Sequence, residues 1–110
     1  VVAHDAYCYL AARYNLTMYP IAGLSPEAEP AARRLADLAD LVKAKKINTI
    51  FFETLVSRKL ADTLARETGV KTAVLNPIEG LTPDEAASGK DYDILMRENL
   101  VQLRLALVCQ

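Results

Sequence analysis

The sequence predicts an α/β fold, a four-stranded, mostly parallel sheet with helices on both faces. Three observations predict it. Strand-like apolar stretches alternate four times with stretches in which apolar residues recur every three or four positions. The segment Asn48-Thr49-Ile50-Phe51-Phe52-Glu53 is apolar on consecutive positions, as in a strand covered on both faces. Repeated strand–helix units also need crossover connections, and therefore parallel pairing. With 110 residues, 52% of them hydrophobic, the chain has one domain's length and enough apolar content for a core.

The elements follow in order. Val1-Val2-Ala3 opens as a short strand and runs into His4, the only histidine. A helix is expected from His4 to Asn15, with Tyr7, Leu10, Ala11 and Tyr14 on one face. Thr17 to Ala22 is a second strand, which Pro20 places at an edge or makes irregular. Gly23 to Pro30 is a loop whose Glu27 and Glu29 form an acidic rim. Pro30 suits the first turn of the next helix. Ala31, Leu35, Leu38 and Val42 form its apolar stripe, and Lys45 and Lys46 suit the negative end of its dipole. After the Asn48–Glu53 strand, a helix from about Ser57 carries Leu60, Ala61, Leu64 and Ala65 and stops at Gly69. Val70 to Leu75 is the fourth strand. Pro77 to Lys90 is read as a loop, and Tyr92, Met96, Leu100, Leu103 and Leu107 mark a long closing helix.

Thirteen basic and fourteen acidic residues are scattered along the chain and leave no footprint for nucleic acid. No apolar run approaches the roughly 20 residues that span a bilayer, and the first residues do not form a signal peptide. A strand beginning at residue 1 predicts a piece of a longer protein. Cys8 and Cys109 are too few for a disulfide framework; two isolated thiols are expected, with a bridge from first helix to last as the alternative.

In an open parallel sheet, ligands bind beyond the carboxyl ends of the strands. The first strand ends at His4, the second leads to Glu27 and Glu29, the third ends at Glu53, and the fourth leads to Asn76 and Glu79. His4 and Glu79 are therefore candidate ligands of a divalent transition metal. A helix starting at His4 would keep the imidazole neutral, as a metal requires. Asn76-Pro77 and Gly80 stiffen and turn the loop that carries Glu79. On position alone, a lone histidine at a helix start more often bonds nearby backbone, and a loop glutamate is more often solvated.

Cys8, four residues after His4, is a candidate extra zinc ligand or half of a Cys–His nucleophile pair, set against a small buried core residue. Glu53 is read as a cap for the following loop or helix, or as a further carboxylate at or behind the metal. The four glycines make neither G-x-G-x-x-G nor a phosphate loop, and no G-x-S-x-G elbow occurs. Three function classes stay open: a metal-binding module, a small flavodoxin-like or thiol enzyme using His4 and Cys8, and a structural or dimerising α/β domain.

His4-Asp5-Ala6-Tyr7 with Tyr9-Leu10 and Arg13-Tyr14, Gly23 to Pro30, Ile50-Phe51-Phe52-Glu53, Leu75-Asn76-Pro77-Ile78-Glu79-Gly80-Leu81, and Asp91-Tyr92 through Met96-Arg97-Glu98-Asn99-Leu100 together carry a resemblance. The chain resembles the zinc- and manganese-binding solute-binding proteins of bacterial metal ABC transporters, and more closely the zinc branch. The resemblance covers essentially residues 1–110, as the C-terminal lobe only. It implies two lobes joined by a long rigid helix, with the metal in the cleft between them and two histidines supplied by an N-terminal lobe absent from this chain. It implies His4 and Glu79 as the ligands from this lobe, Zn2+ as the cargo with Mn2+ as the alternative, and no turnover. It further implies delivery to an ABC permease, for which Glu27 and Glu29 are docking candidates. The implied location is extracytoplasmic, in the periplasm or as a lipoprotein on the outer face of the cytoplasmic membrane. A lobe without its partner is expected to expose its cleft face and to self-associate. Cys8 stands where the family often has glycine.

Overall fold

At the centre of the fold is β1 (Thr49–Phe52), whose two middle residues are both buried. Successive strand side chains point to opposite faces. Ile50 packs with Leu38, Ala39, Ala61, Leu64 and Ala65, whereas Phe51 packs with Val2, Tyr7 and Leu75, against which Leu10, Leu103 and Ala106 lie. One strand thus joins two apolar clusters. The computed structural model describes residues 1–25 and 30–108. Glu27, Glu29 and Cys109 lie outside the described residues.

The remaining elements are α1 (Cys8–Arg13), α2 (Ala32–Ala44), α3 (Lys59–Thr68), β2 (Lys71–Val74), α4 (Pro83–Ala87) and α5 (Tyr92–Ala106). The Ile50 cluster is built with α2 and α3, and the Phe51 cluster with α1 and α5. Helices therefore cover both faces, and the α/β class holds. β1 and β2 pair in parallel, from Thr49 opposite Lys71 to Phe52 opposite Val74, with α3 as the crossover. Gly69 ends α3 with φ +73°, and its N–H returns to the Ala65 carbonyl at 2.8 Å.

The sheet of the described residues has two regular strands, where four were expected. The first two expected strands meet only in a parallel bridge between Val2 and Pro20. Their backbones nevertheless run side by side. Val2 N–H donates to Tyr19 O at 3.1 Å, Ile21 N–H to Val2 O at 2.9 Å, and Ala22 N–H to Ala3 O at 2.9 Å. Phe51 N–H donates to Val1 O at 2.9 Å, tying residues 1–3 to β1. Both bonds flanking Pro20 are made, and its own nitrogen points away from residues 1–3, where a missing N–H costs nothing, as suits an edge segment. The spatial order is residues 20–22, residues 1–3, β1, β2.

Three helices differ from expectation. The expected helix from His4 begins only at Cys8, because Asp5 N–H is committed to Gly23 O at 3.0 Å and Ala6 N–H to His4 O at 2.9 Å. Within the expected Pro77–Lys90 loop lies α4. Thr82 and Glu85 form its capping box and Pro83 occupies its first turn, a signal present in Thr82-Pro83-Asp84-Glu85. The face of α5 is also rotated. Tyr92, Leu100 and Leu107 are exposed, and the buried pair is Leu95 and Asn99. A buried asparagine had broken the apolar pattern from which that face was read.

Candidate metal centre

Phe51 N–H bonds Val1 O, and a few residues further along each segment the side chains of His4 and Glu53 meet. They sit where the spatial order reverses the sequence order, between the first segment and the third, which is the crevice in which open α/β sheets bind ligands. His4 Nδ1 and Glu53 Oε1 are hydrogen-bonded at 2.5 Å, with both side chains at least 96% buried. When Glu53 is ionised it can only accept, which puts the imidazole proton on Nδ1 and leaves the Nε2 lone pair open.

Burial pushes the Glu53 carboxyl above the usual carboxylate range, and the His4 hydrogen bond only partly offsets this. Glu53 is thus the partner of His4, and it does not cap α3, whose N-cap is Arg58. His4 lies outside α1, so no helix dipole acts on it; Glu53 supplies the orientation that the dipole was expected to give.

His4 Nε2 faces Glu79 Oε1 at 3.8 Å. Zinc bonds of roughly 2.0–2.2 Å to nitrogen and oxygen at a tetrahedral angle separate two donors by about 3.3–3.5 Å. A movement of a few tenths of an ångström by Glu79, which is 57% exposed, closes that difference. Among the described residues, no group of three or more His, Cys, Asp or Glu is arranged to hold a metal ion. The two side chains offer one nitrogen and one carboxylate to a common point.

The loop carrying Glu79 is held by the side chains of Asn76, expected to turn it, and of Tyr7, Asn99 and Glu85. Tyr7 O–H donates to Leu75 O at 2.6 Å, and burial with the nearby Glu53 and Glu79 charges pushes its phenol well above the usual range. Asn76 Oδ1 accepts from Ile78 N–H at 2.8 Å, an Asx turn, and Ile78 has φ +61°. For a β-branched residue that left-handed conformation is a genuine outlier. Asn99 clamps the Asn76 backbone, and Glu85 accepts from Asn76 Nδ2 at 3.3 Å and from Thr82 N–H at 2.8 Å. Sequence pattern could have located Glu85 through the capping box. It gave no sign of Asn99.

Cys8 is neither buried nor joined to His4. It is a free, exposed thiol at the first residue of α1, and with His4 outside that helix the four-residue spacing implies no shared face. Leu24, Leu55 and Leu81, which follow residues 20–22, β1 and β2 respectively, are all exposed, and Leu55 Cδ1 lies against Gly80. The carboxyl edge is therefore apolar around its polar centre.

Residues 1–106 match the family model described as zinc-uptake complex component A, periplasmic. The chain is 49% identical over 104 residues to the zinc-binding lipoprotein AdcA of Streptococcus pneumoniae, covering 94% of this chain and 21% of that protein. It is 45% identical over 108 residues to the high-affinity zinc uptake system protein ZnuA of Bacillus subtilis, covering 98% of this chain and 34% of that protein. The solved Zn(II)-bound ZnuA-like domain of Streptococcus pneumoniae AdcA superposes with a TM-score of 0.74 at 48% identity, over 96% of this chain and 39% of that one. The chain thus spans about a fifth to two fifths of the proteins it matches.

Proposed function

The chain belongs to the family of periplasmic zinc-uptake component A proteins, and from that premise we propose that it is the C-terminal lobe of an extracytoplasmic zinc receptor that hands its cargo to an ABC permease. His4 Nε2 and the Glu79 carboxylate supply half of the zinc shell; an N-terminal lobe supplies the rest and closes over the edge marked by Leu24, Leu55 and Leu81. Residues 1–3 and 20–22 are two further strands of one four-stranded sheet, a reading that their parallel backbone hydrogen bonds to one another and to β1 support.

The observation that carries this reading is the division of labour on His4. One ring nitrogen is held by a buried carboxylate, and the other faces a half-exposed one at 3.8 Å. A histidine kept only for packing has no need of the second. An imidazole beside a carboxylate suits zinc, which takes nitrogen and oxygen ligands at four-coordinate sites. No reaction is part of the role: the ion is bound, carried and released.

Titration calorimetry with zinc, on this chain and on the full-length protein that carries it, tests the proposal. The isolated chain is expected to bind weakly and the full-length protein far more tightly, with His4→Ala and Glu79→Gln each weakening the latter. Equal affinities for chain and full-length protein would contradict the half-site.

A further inference from the structure

We propose that Asn99, on α5, is a positioning residue for the metal-binding carboxylate. It never reaches the ion, and it fixes the turn that aims Glu79 at His4. The inference rests on the zinc reading above and adds a determinant of affinity to it.

Glu79 is 57% exposed, and among the described residues the only Lys, Arg or His nitrogen within 4.0 Å of its carboxylate is His4 Nε2. Its direction is set by its backbone. The residue before it, Ile78, holds φ +61°, a conformation that an isoleucine abandons unless its surroundings impose it. The imposing contact is Ile78 N–H to Asn76 Oδ1. Asn76 in turn is gripped by Asn99, whose Oδ1 accepts from Asn76 N–H at 2.8 Å while its Nδ2 donates to Asn76 O at 2.7 Å. One side-chain amide thus takes the place of a neighbouring strand for the last residue before the turn. Glu85 ties down the far end through Thr82 N–H.

The choice of residue at position 99 supports the inference. Asn99 lies one helical turn after buried Leu95 and is itself 6% exposed, on the face that packs towards β2. Packing alone would put leucine there. An amide at that place costs apolar burial, and among the described residues both of its hydrogen bonds go to the Asn76 backbone. Both residues are buried, so the clamp is shielded from competing water.

The test uses the full-length protein, with zinc Kd from chelator competition, the visible absorption spectrum of the Co2+-substituted protein as a signature of coordination, and thermal unfolding. Asn99→Ala is expected to raise the zinc Kd by about 10–100-fold, the range for residues that orient ligands without binding the metal, and to alter the Co2+ bands. Adding Ile78→Asn, which tolerates positive φ without support, is expected to recover part of that loss. If Asn99→Ala does not fold, Asn99→Asp, which keeps the acceptor for Asn76 N–H, is expected to give an intermediate Kd. A Kd within about twofold of the parent with unchanged Co2+ bands, whatever happens to the melting temperature, would reduce Asn99 to a structural role and overturn the inference. So would a raised Kd that Ile78→Asn leaves untouched. Glu79→Gln is the control. If it too leaves Kd unchanged, the zinc reading has failed; if it weakens binding while Asn99→Ala does not, only the positioning inference has failed.

Discussion

His4 and Glu53, the latter just after β1, form a buried hydrogen-bonded pair, Nδ1 to Oε1 at 2.5 Å. This contact determines what the other ring nitrogen can do. It holds the imidazole in one orientation and one tautomer, so that Nε2 stands towards Glu79 with its lone pair available.

Removing Glu53 should therefore damage both stability and binding. In Glu53→Ala the buried Nδ1–H loses its acceptor, a cost of about 1–3 kcal/mol in the urea-unfolding free energy. Zinc Kd should rise by about 10–100-fold. Glu53→Gln keeps an acceptor and should retain most of the stability while losing part of the affinity. Chelator competition alongside urea titration separates the two effects.

Cys8 should behave as a bystander. The thiol is exposed at the start of α1 and belongs to no metal-binding group among the described residues. Alkylation by iodoacetamide should go to completion under native conditions, at a rate that saturating zinc does not change. Protection by zinc would place the thiol in the site and revive the idea of a His–Cys pair.

Tyr7 should be the last tyrosine to ionise. Burial, then the charges of Glu53 and Glu79, raise its folded value above the usual one near 10. The sign follows from linkage: its contribution to stability is fully present below the usual value and is lost as pH rises past it towards the folded value. In an alkaline titration followed by phenolate absorbance, one of the five tyrosines should stay protonated until the fold opens. Tyr7→Phe should abolish that late step.

Much of the framework was legible in the residues. The apolar spacings of 31–42 and 60–65 located α2 and α3, the apolar run Ile50-Phe51-Phe52 located β1, and Gly69 ended α3 at the expected place. The convergence of His4 and Glu79 followed from their places after strand ends. The partnership of His4 with Glu53 did not, because it depends on strand order and not on sequence order. Asn99 was hidden for a different reason. An apolar stripe is read by ignoring polar residues, so a buried asparagine shifts the inferred face and disappears from view. Ile78 gave no warning either, since β-branched residues avoid positive φ and only the surrounding hydrogen bonds reveal why this one accepts it. Pro20 signalled an edge or irregular segment at 17–22, and that segment meets residues 1–3 only through an isolated bridge at Pro20.

Anomalous diffraction at the zinc edge, from crystals of the full-length protein grown with zinc, bears most directly on the site. One peak about 2.0–2.2 Å from both His4 Nε2 and a Glu79 oxygen, with Nδ1 still bound to Glu53, is the predicted result. A fully occupied zinc that touches neither residue, or that reaches His4 through Nδ1, would contradict it.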